Sequence, residues 1–259
     1  MQAIESNCIA ASYFGTHLNF RASLCVALHD IFVREILPNL DAAQTNLALR
    51  SILSDIETVK DITQIAARIV AIEDRLPVII DELAHQACAA GIRWEQDESD
   101  FFEVTERIGR LKMIAYHLSA MLERSSIPTG QSILLMPCPQ ETHVFGLQLL
   151  GMTFREAGWA VTRPEMNSEW PGEQLTRLHY DVVGLTLSNV GLLPLLRNEI
   201  PRLRRASRNQ SLRVLVGGPC FDLGEADFRS VGADAYAPDA CSAPAIADEI
   251  VNEQKLICA

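Results

Sequence analysis

The sequence predicts an α/β plus all-α chain: an N-terminal helical bundle over residues 1–124, a hinge at 125–131, and a five-stranded parallel α/β domain over 132–259. Three observations carry this reading. Apolar residues recur at helical spacing up to about Arg124; Pro128 and Gly130 then interrupt the pattern; beyond them short apolar runs alternate with helical ones.

In the first half, Leu24, Ala27, Leu28, Ile31 and Phe32 share a helical face, and Pro38 ends that element. Leu47, Ile52, Ile56 and Val59 continue the period, as do Ile62, Ile65, Ala66 and Ile69. Pro77 suits the first turn of the next helix, which the sequence ends near Gly91. Residues 91–100 then read as a polar loop carrying Trp94, an indole that plugs the end of the bundle or packs on a flat ligand. Asp100 and Glu103 have the spacing of a capping box, and Val104, Ile108, Leu111, Ala115, Leu118 and Leu122 follow on one face. Amphipathic helices with short connections imply a bundle.

In the second half, strands are expected at 133–136, 160–162, 181–187, 213–216 and 235–237. Helices are expected at 143–157, 171–178, 192–205, 222–230 and 243–253. Five βα units imply a parallel sheet of flavodoxin-like order with helices on both faces. Ligands of such sheets bind beyond the carboxyl ends of the strands, here the loops after Met136, Leu187, Val216 and Ala237.

The formal charge of −11 argues against direct nucleic-acid binding, which needs a basic footprint to displace counterions from phosphates. The cluster Arg202, Arg204, Arg205, Arg208 and Arg213 reads as a solvated helix end or as a phosphate or partner contact. No apolar run reaches the roughly 20 residues of a membrane span. The opening residues lack the regions of a signal peptide, so the expected compartment is the cytoplasm. Seven scattered cysteines without Cys-x-x-Cys spacing argue against a disulfide framework or structural zinc.

The loop after the first strand carries Glu141 and His143. A carboxylate two residues from an imidazole can turn back to one ring nitrogen, set the tautomer and leave the other nitrogen for a metal. Gly146 follows, where a missing Cβ lets a ligand pass close to the helix. The third strand ends in the hydroxyls of Thr186 and Ser188, the fourth in Gly217 and Gly218, and the fifth runs through Tyr236 to Pro238 and Asp239.

This pattern resembles the cobalamin-binding domain of methionine synthase, base-off mutases and cobalamin photoreceptors, whose signature is Asp/Glu-x-His-x-x-Gly, Ser-x-Leu and Gly-Gly. The corresponding residues are Glu141-Thr142-His143-Val144-Phe145-Gly146, Thr186-Leu187-Ser188 and Gly217-Gly218, with Thr and Ser where that family has Ser and Leu. The resemblance implies that His143 is the metal ligand, binding cobalt from below in place of the cofactor's dimethylbenzimidazole. The nucleotide tail would then run past Gly146, with Gly217 and Gly218 making room, and the cofactor-contacting set is Trp94, Glu141, Thr142, His143, Val144, Gly146, Thr186, Ser188, Gly217, Gly218 and Tyr236.

The stretch from Gly91 through Trp94 to Val104-Thr105, with Arg110-Leu111 after it, is similar to the AerR/PpaA antirepressors. These two-domain proteins bind cobalamin and antagonise the CrtJ/PpsR repressor of photosynthesis genes. Val104-Thr105 stand where CarH-type photoreceptors have a Glu-His pair above the corrin, and Arg107 stands where the antirepressors have glycine. The implied function is a non-enzymatic, light-responsive co-regulator that binds hydroxocobalamin, or adenosylcobalamin or methylcobalamin, and acts on a PpsR/CrtJ-type repressor by protein contact. The alternatives are a corrinoid methyl carrier of a methyltransferase system and a heme sensor on the same fold.

Overall fold

The structure, a computed structural model, describes residues 47–257 except 55, 74, 123–126, 165–169, 171, 223 and 225. The helix expected at Leu24–Phe32, the first part of the hinge, and Cys8, Cys25 and Cys258 lie outside the described residues.

Four helices come first: α1 Leu47–Ser54, α2 Ile62–Ile72, α3 Leu76–Glu95 and α4 Phe101–Leu122. Asp61 caps α2 by accepting from Thr63 N at 3.0 Å, and Pro77 sits in the first turn of α3. Asp100 and Glu103 bond reciprocally at the start of α4, at 2.9 and 3.0 Å, as their spacing predicts.

The sequence ends α3 four residues too early. Gly91 is buried within the helix, and the apolar face Ala87, Ala90, Gly91, Trp94 carries the period through it. The stop comes at Asp97, whose φ of 57° puts a left-handed residue after the last turn. Glu98 N donates to Arg93 O at 2.8 Å and Asp97 N to Trp94 O at 3.2 Å, the paired bonds of a Schellman end with aspartate in the usual glycine position. Trp94 is therefore a buried helical residue, not a loop residue.

The second half forms a sheet of β1 Ser132–Pro137, β2 Ala160–Thr162, β3 Val182–Thr186, β4 Arg213–Gly217 and β5 Ala235–Ala237. All pairs are parallel and the order is β2-β1-β3-β4-β5, the flavodoxin-like order. Its main helices are α5 Phe145–Glu156, α6 Glu173–Arg177, α7 Leu193–Ala206 and α9 Ala243–Ile257, with a short α8 at Pro219–Asp222. The single helix expected at 222–230 is instead α8 and a 3-10 turn at Phe228–Val231. Gly224 lies between them at φ 69°, and Asp227 accepts from Arg229 N at the start of the turn.

Side chains alternate across the sheet, as the pleat requires. Ile133, Leu135, Val182, Leu215, Ala235 and Ala237 share a core with α5 and α9. Leu134, Met136, Val183, Leu185, Val214 and Val216 share the opposite one with α6 and α7. The helical layer docks on α5, whose Leu149 and Met152 belong to the core built by α1 to α4.

Much of the basic cluster is committed to this fold. Arg204 donates to Leu212 O and Gly232 O and pairs with Asp234 at 2.7 Å; Arg213 pairs with the same carboxylate at 3.0 Å. Arg208 donates to Arg177 O, and Arg202 lies over the Trp170 ring at 3.9 Å.

Candidate cofactor-binding site

At the end of β1, Cys138 N donates to Thr186 O, extending the ladder past Pro137. Glu141 N then donates to Cys138 O while Gln140 adopts φ 69°, and this tight reversal drops Glu141 into the interior, where it is 5% exposed. Its Oε1 accepts from Thr142 N and His143 N, both at 2.9 Å, and lies 2.7 Å from His143 Nδ1. Oε2 accepts from Ser188 N at 2.7 Å.

Burial alone would push the Glu141 carboxyl up. The His143 ring bond, the backbone bonds from His143 and Ser188 and the charge of His143 outweigh it and hold the group at about 2 instead of 4.5. An ionised carboxylate makes Nδ1 the donor, so in the neutral ring the lone pair sits on Nε2. That is the tautomer a metal-ligating imidazole requires.

His143 lines a cleft of about 550 Å³ between the helical layer and the carboxyl edge of the sheet. One wall comes from α3 and α4, with Ala87, Gly91, Trp94, Val104, Thr105 and Ile108. The other comes from the strand ends, with Thr142, His143, Val144, Gly146, Thr186, Ser188, Gly217 and Gly218. With Pro238 and Asp239 after β5, four loops that are far apart in sequence thus meet Trp94 around one space. The Thr186 hydroxyl is buried with no hydrogen-bond partner among the described residues, so this wall carries a polar atom that a ligand can satisfy.

The glycines differ in reason. A Cβ on Gly146 would meet nothing within 4 Å, so its absence leaves open space at the start of α5. Gly218 has φ 104°, and a Cβ there would lie 2.6 Å from Leu187 O. It serves the close approach of the β3 and β4 loops, not the room for a ligand that the sequence suggests. Gly217 is intermediate, its Cβ falling 3.1 Å from Ala237 O.

Two residues of the expected set do not line the cleft. Glu141 stands behind His143 and acts through it. Tyr236 points to the opposite face of the sheet, because Ala235 and Ala237 occupy the cleft side of β5; its ring packs on Phe221 with centroids 6.2 Å apart. Arg107 also turns away from the cleft. It bonds Glu57, donates to Leu53 O at 3.0 Å and to Gln86 Oε1 at 2.6 Å, and clamps α1 and α3 to α4. Sequence reasoning misses the floor, Gly184 and Leu215, and the upper wall around Ala84, Cys88 and Gly109. The available signal was a pair of glycines, Gly91 and Gly109, inside strong helical patterns, where glycine needs a packing or functional reason.

No family model matches the chain. It is 25% identical over 177 residues to an uncharacterized 20.5 kDa protein from the bchF-crtJ intergenic region of Rhodobacter capsulatus, covering 66% of this chain and 88% of that one. Among solved structures, the monomethylamine corrinoid protein of Methanosarcina barkeri superposes with a TM-score of 0.63 at 16% identity, over 77% of this chain and 96% of its own. That likeness is one of fold. A cobalamin-binding protein from Desulfitobacterium hafniense is 15% identical over 78% of this chain and 98% of its own, with a TM-score of 0.41. No described helix is long and apolar enough to cross a membrane.

Proposed function

We propose that this protein binds a cobalamin in the cleft between its helical layer and its sheet, and uses it as a light-responsive signal read by a partner repressor of the PpsR/CrtJ type. The observation that carries the reading is the buried Glu141 carboxylate bonded to His143 Nδ1 at 2.7 Å, at the edge of a cleft of about 550 Å³. His143 would ligate the cobalt through Nε2, with Glu141 holding the ring. Gly146 leaves the space a nucleotide tail needs, Thr186 offers a hydroxyl for it, and Trp94, almost wholly buried, is part of the apolar helical wall. Alkylcobalamins carry a cobalt–alkyl bond that light breaks, leaving a form with a small upper ligand such as hydroxocobalamin, so a site that takes hydroxocobalamin would report illumination.

The regulatory half of the reading draws support from the Rhodobacter capsulatus relative, which comes from the intergenic region beside crtJ. The corrinoid half draws support from the fold shared with the Methanosarcina barkeri corrinoid protein. The helical layer supplies the response: α3 and α4 line the cleft and form part of the outer surface, so occupancy biases how that layer packs and what a partner meets.

The test is an absorption titration of the purified protein with hydroxocobalamin, methylcobalamin, adenosylcobalamin and hemin. Stoichiometric hydroxocobalamin binding with a shifted visible band is expected. An unchanged band and affinity in His143→Ala would remove the ligand assignment. Capture of a PpsR-type repressor, in dark and light with and without cobalamin, tests the partner; methyl transfer with a partner methyltransferase would replace the sensor with a carrier.

A further inference from the structure

We infer that the lip of the cleft, Glu95 to Glu106, is a docking surface for a basic protein segment that carries an apolar anchor. The inference names the chemistry of the partner in the regulatory reading above and rests on that reading for its purpose.

Six of these twelve residues are acidic and none is basic. Glu95, Asp97, Glu98, Asp100, Glu103 and Glu106 are all exposed. Within them lie Phe101, 49% exposed, and Phe102, 79% exposed, their rings edge to face at 6.0 Å. A phenyl ring left in water forgoes a large burial gain, and two adjacent ones inside a field of carboxylates form an amphipathic patch, not a stray surface residue. The patch is also rigid. The Schellman end of α3 fixes one side and the capping box of α4 the other, so little ordering entropy opposes docking.

Charge selects the occupant. Of the six carboxylates Glu106 is paired with Arg110 at 3.1 Å; the acidic excess that remains would repel nucleic acid and anionic lipid, and also a second copy of a chain carrying −11. A Lys/Arg-rich segment is attracted, and one aliphatic or aromatic side chain of that segment would seat against Phe102. The patch is contiguous with the cleft: Phe101 meets Trp94 edge to face at 6.5 Å, and Trp94 is a wall of the cleft. A partner seated on the lip therefore touches side chains that touch the cofactor space.

The experiment uses the full chain and a fluorescent synthetic amphipathic helix of Lys, Arg and Leu, with two controls: Ser in place of Leu, and Glu in place of the basic residues. The Lys/Arg/Leu peptide is expected to bind, and the Glu peptide not to bind. Phe102→Ser is expected to weaken binding about tenfold, the scale of a lost interface anchor. Glu95→Lys/Glu98→Lys is expected to weaken it comparably and flatten its salt dependence. Glu249→Lys/Glu253→Lys, the same charge change on exposed positions of α9, is expected to leave it unchanged. Equal affinity of wild type, Phe102→Ser and Glu95→Lys/Glu98→Lys overturns the surface, as does equal binding of the Ser peptide or no binding of the basic one. Hydroxocobalamin spectra of the same samples separate the two readings. A wild-type spectrum without peptide binding overturns the lip alone, and a wild-type protein that takes no cobalamin overturns the cleft reading itself.

Discussion

Glu141 accepts a hydrogen bond from Ser188 N at 2.7 Å, so the carboxylate that orients His143 also ties the loop after β1 to the loop after β3. The position of the imidazole is thereby set by the sheet, not by a flexible loop. Its stabilisation depends on the charge of Glu141.

The folded carboxyl titrates at about 2, below its ordinary 4.5, so between these values the unfolded chain binds more protons than the folded one. The contribution is complete above pH 4.5 and is lost as pH falls towards 2, and a shift of this size corresponds to about 3 kcal/mol. Urea unfolding of the cofactor-free protein should show stability falling with pH across that window. Glu141→Gln should flatten this slope and, by loosening the His143 ring, lower hydroxocobalamin affinity by about 10- to 100-fold.

The two motif glycines separate fold from binding. Gly218→Ala puts a Cβ against Leu187 O at a φ of 104° and should cost at least about 1–3 kcal/mol. Gly146→Ala enters open space in the first turn of α5 and should melt at or above the wild-type temperature, the helix gaining up to about 1 kcal/mol. The same Cβ takes up room in the cleft that His143 also lines, so its hydroxocobalamin affinity should fall. Thermal melts and absorption titrations of both variants check the pair. A Gly146→Ala protein that binds with wild-type affinity would place the tail elsewhere.

The strand-end architecture was legible because it rests on local signals. Apolar runs bounded by Gly and Pro mark buried parallel strands, and the sheet order follows from right-handed crossovers. The Glu141–His143 relation follows from a spacing of two on a strand-end loop. What was not legible depends on partners distant in sequence. Arg107 looks like a change at the cofactor surface, yet Glu57, Leu53 and Gln86 recruit it to the interior of the helical layer. The sequence places Tyr236 in the fifth strand and counts it among the cofactor contacts, but alternation along that strand turns its side chain away from the cleft. The end of α3 was misplaced because Gly91 serves packing at the cleft, while Asp97 performs the stop that glycine usually performs.

Trp94 does two things at once, and substitutions can part them. The ring is 3% exposed and packs with Ala90, Val104 and Ile108, so Trp94→Ala should destabilise by about 3–5 kcal/mol. Trp94→Phe retains much of the packing but changes the shape of the cleft wall that Trp94 helps to line. It should therefore unfold near the wild-type midpoint while changing the relative affinities for hydroxocobalamin, methylcobalamin and adenosylcobalamin. Wild-type preference among the three in a folded Trp94→Phe protein would reduce the indole to a structural plug.

Two cysteines report on the cleft from opposite conditions. Cys138 is 1% exposed and sits behind the β1 loop; burial, with the Glu141 and Glu199 charges and Cys220 adding, pushes its thiol up to about 12. The thiolate is the nucleophile, so Cys138 should resist iodoacetamide at pH 8 in the folded protein and react once urea unfolds it. Cys241 is only partly buried and lines the cleft beside Ala240, where reagent can reach it. Peptide mapping by mass spectrometry after brief alkylation should find Cys241 labelled and Cys138 unlabelled. Saturating hydroxocobalamin should then slow labelling of Cys241 and leave Cys138 unchanged. Equal Cys241 labelling with and without a bound, spectrally shifted cobalamin would mean that the cofactor occupies a different part of the cleft from the wall formed by the β5 loop.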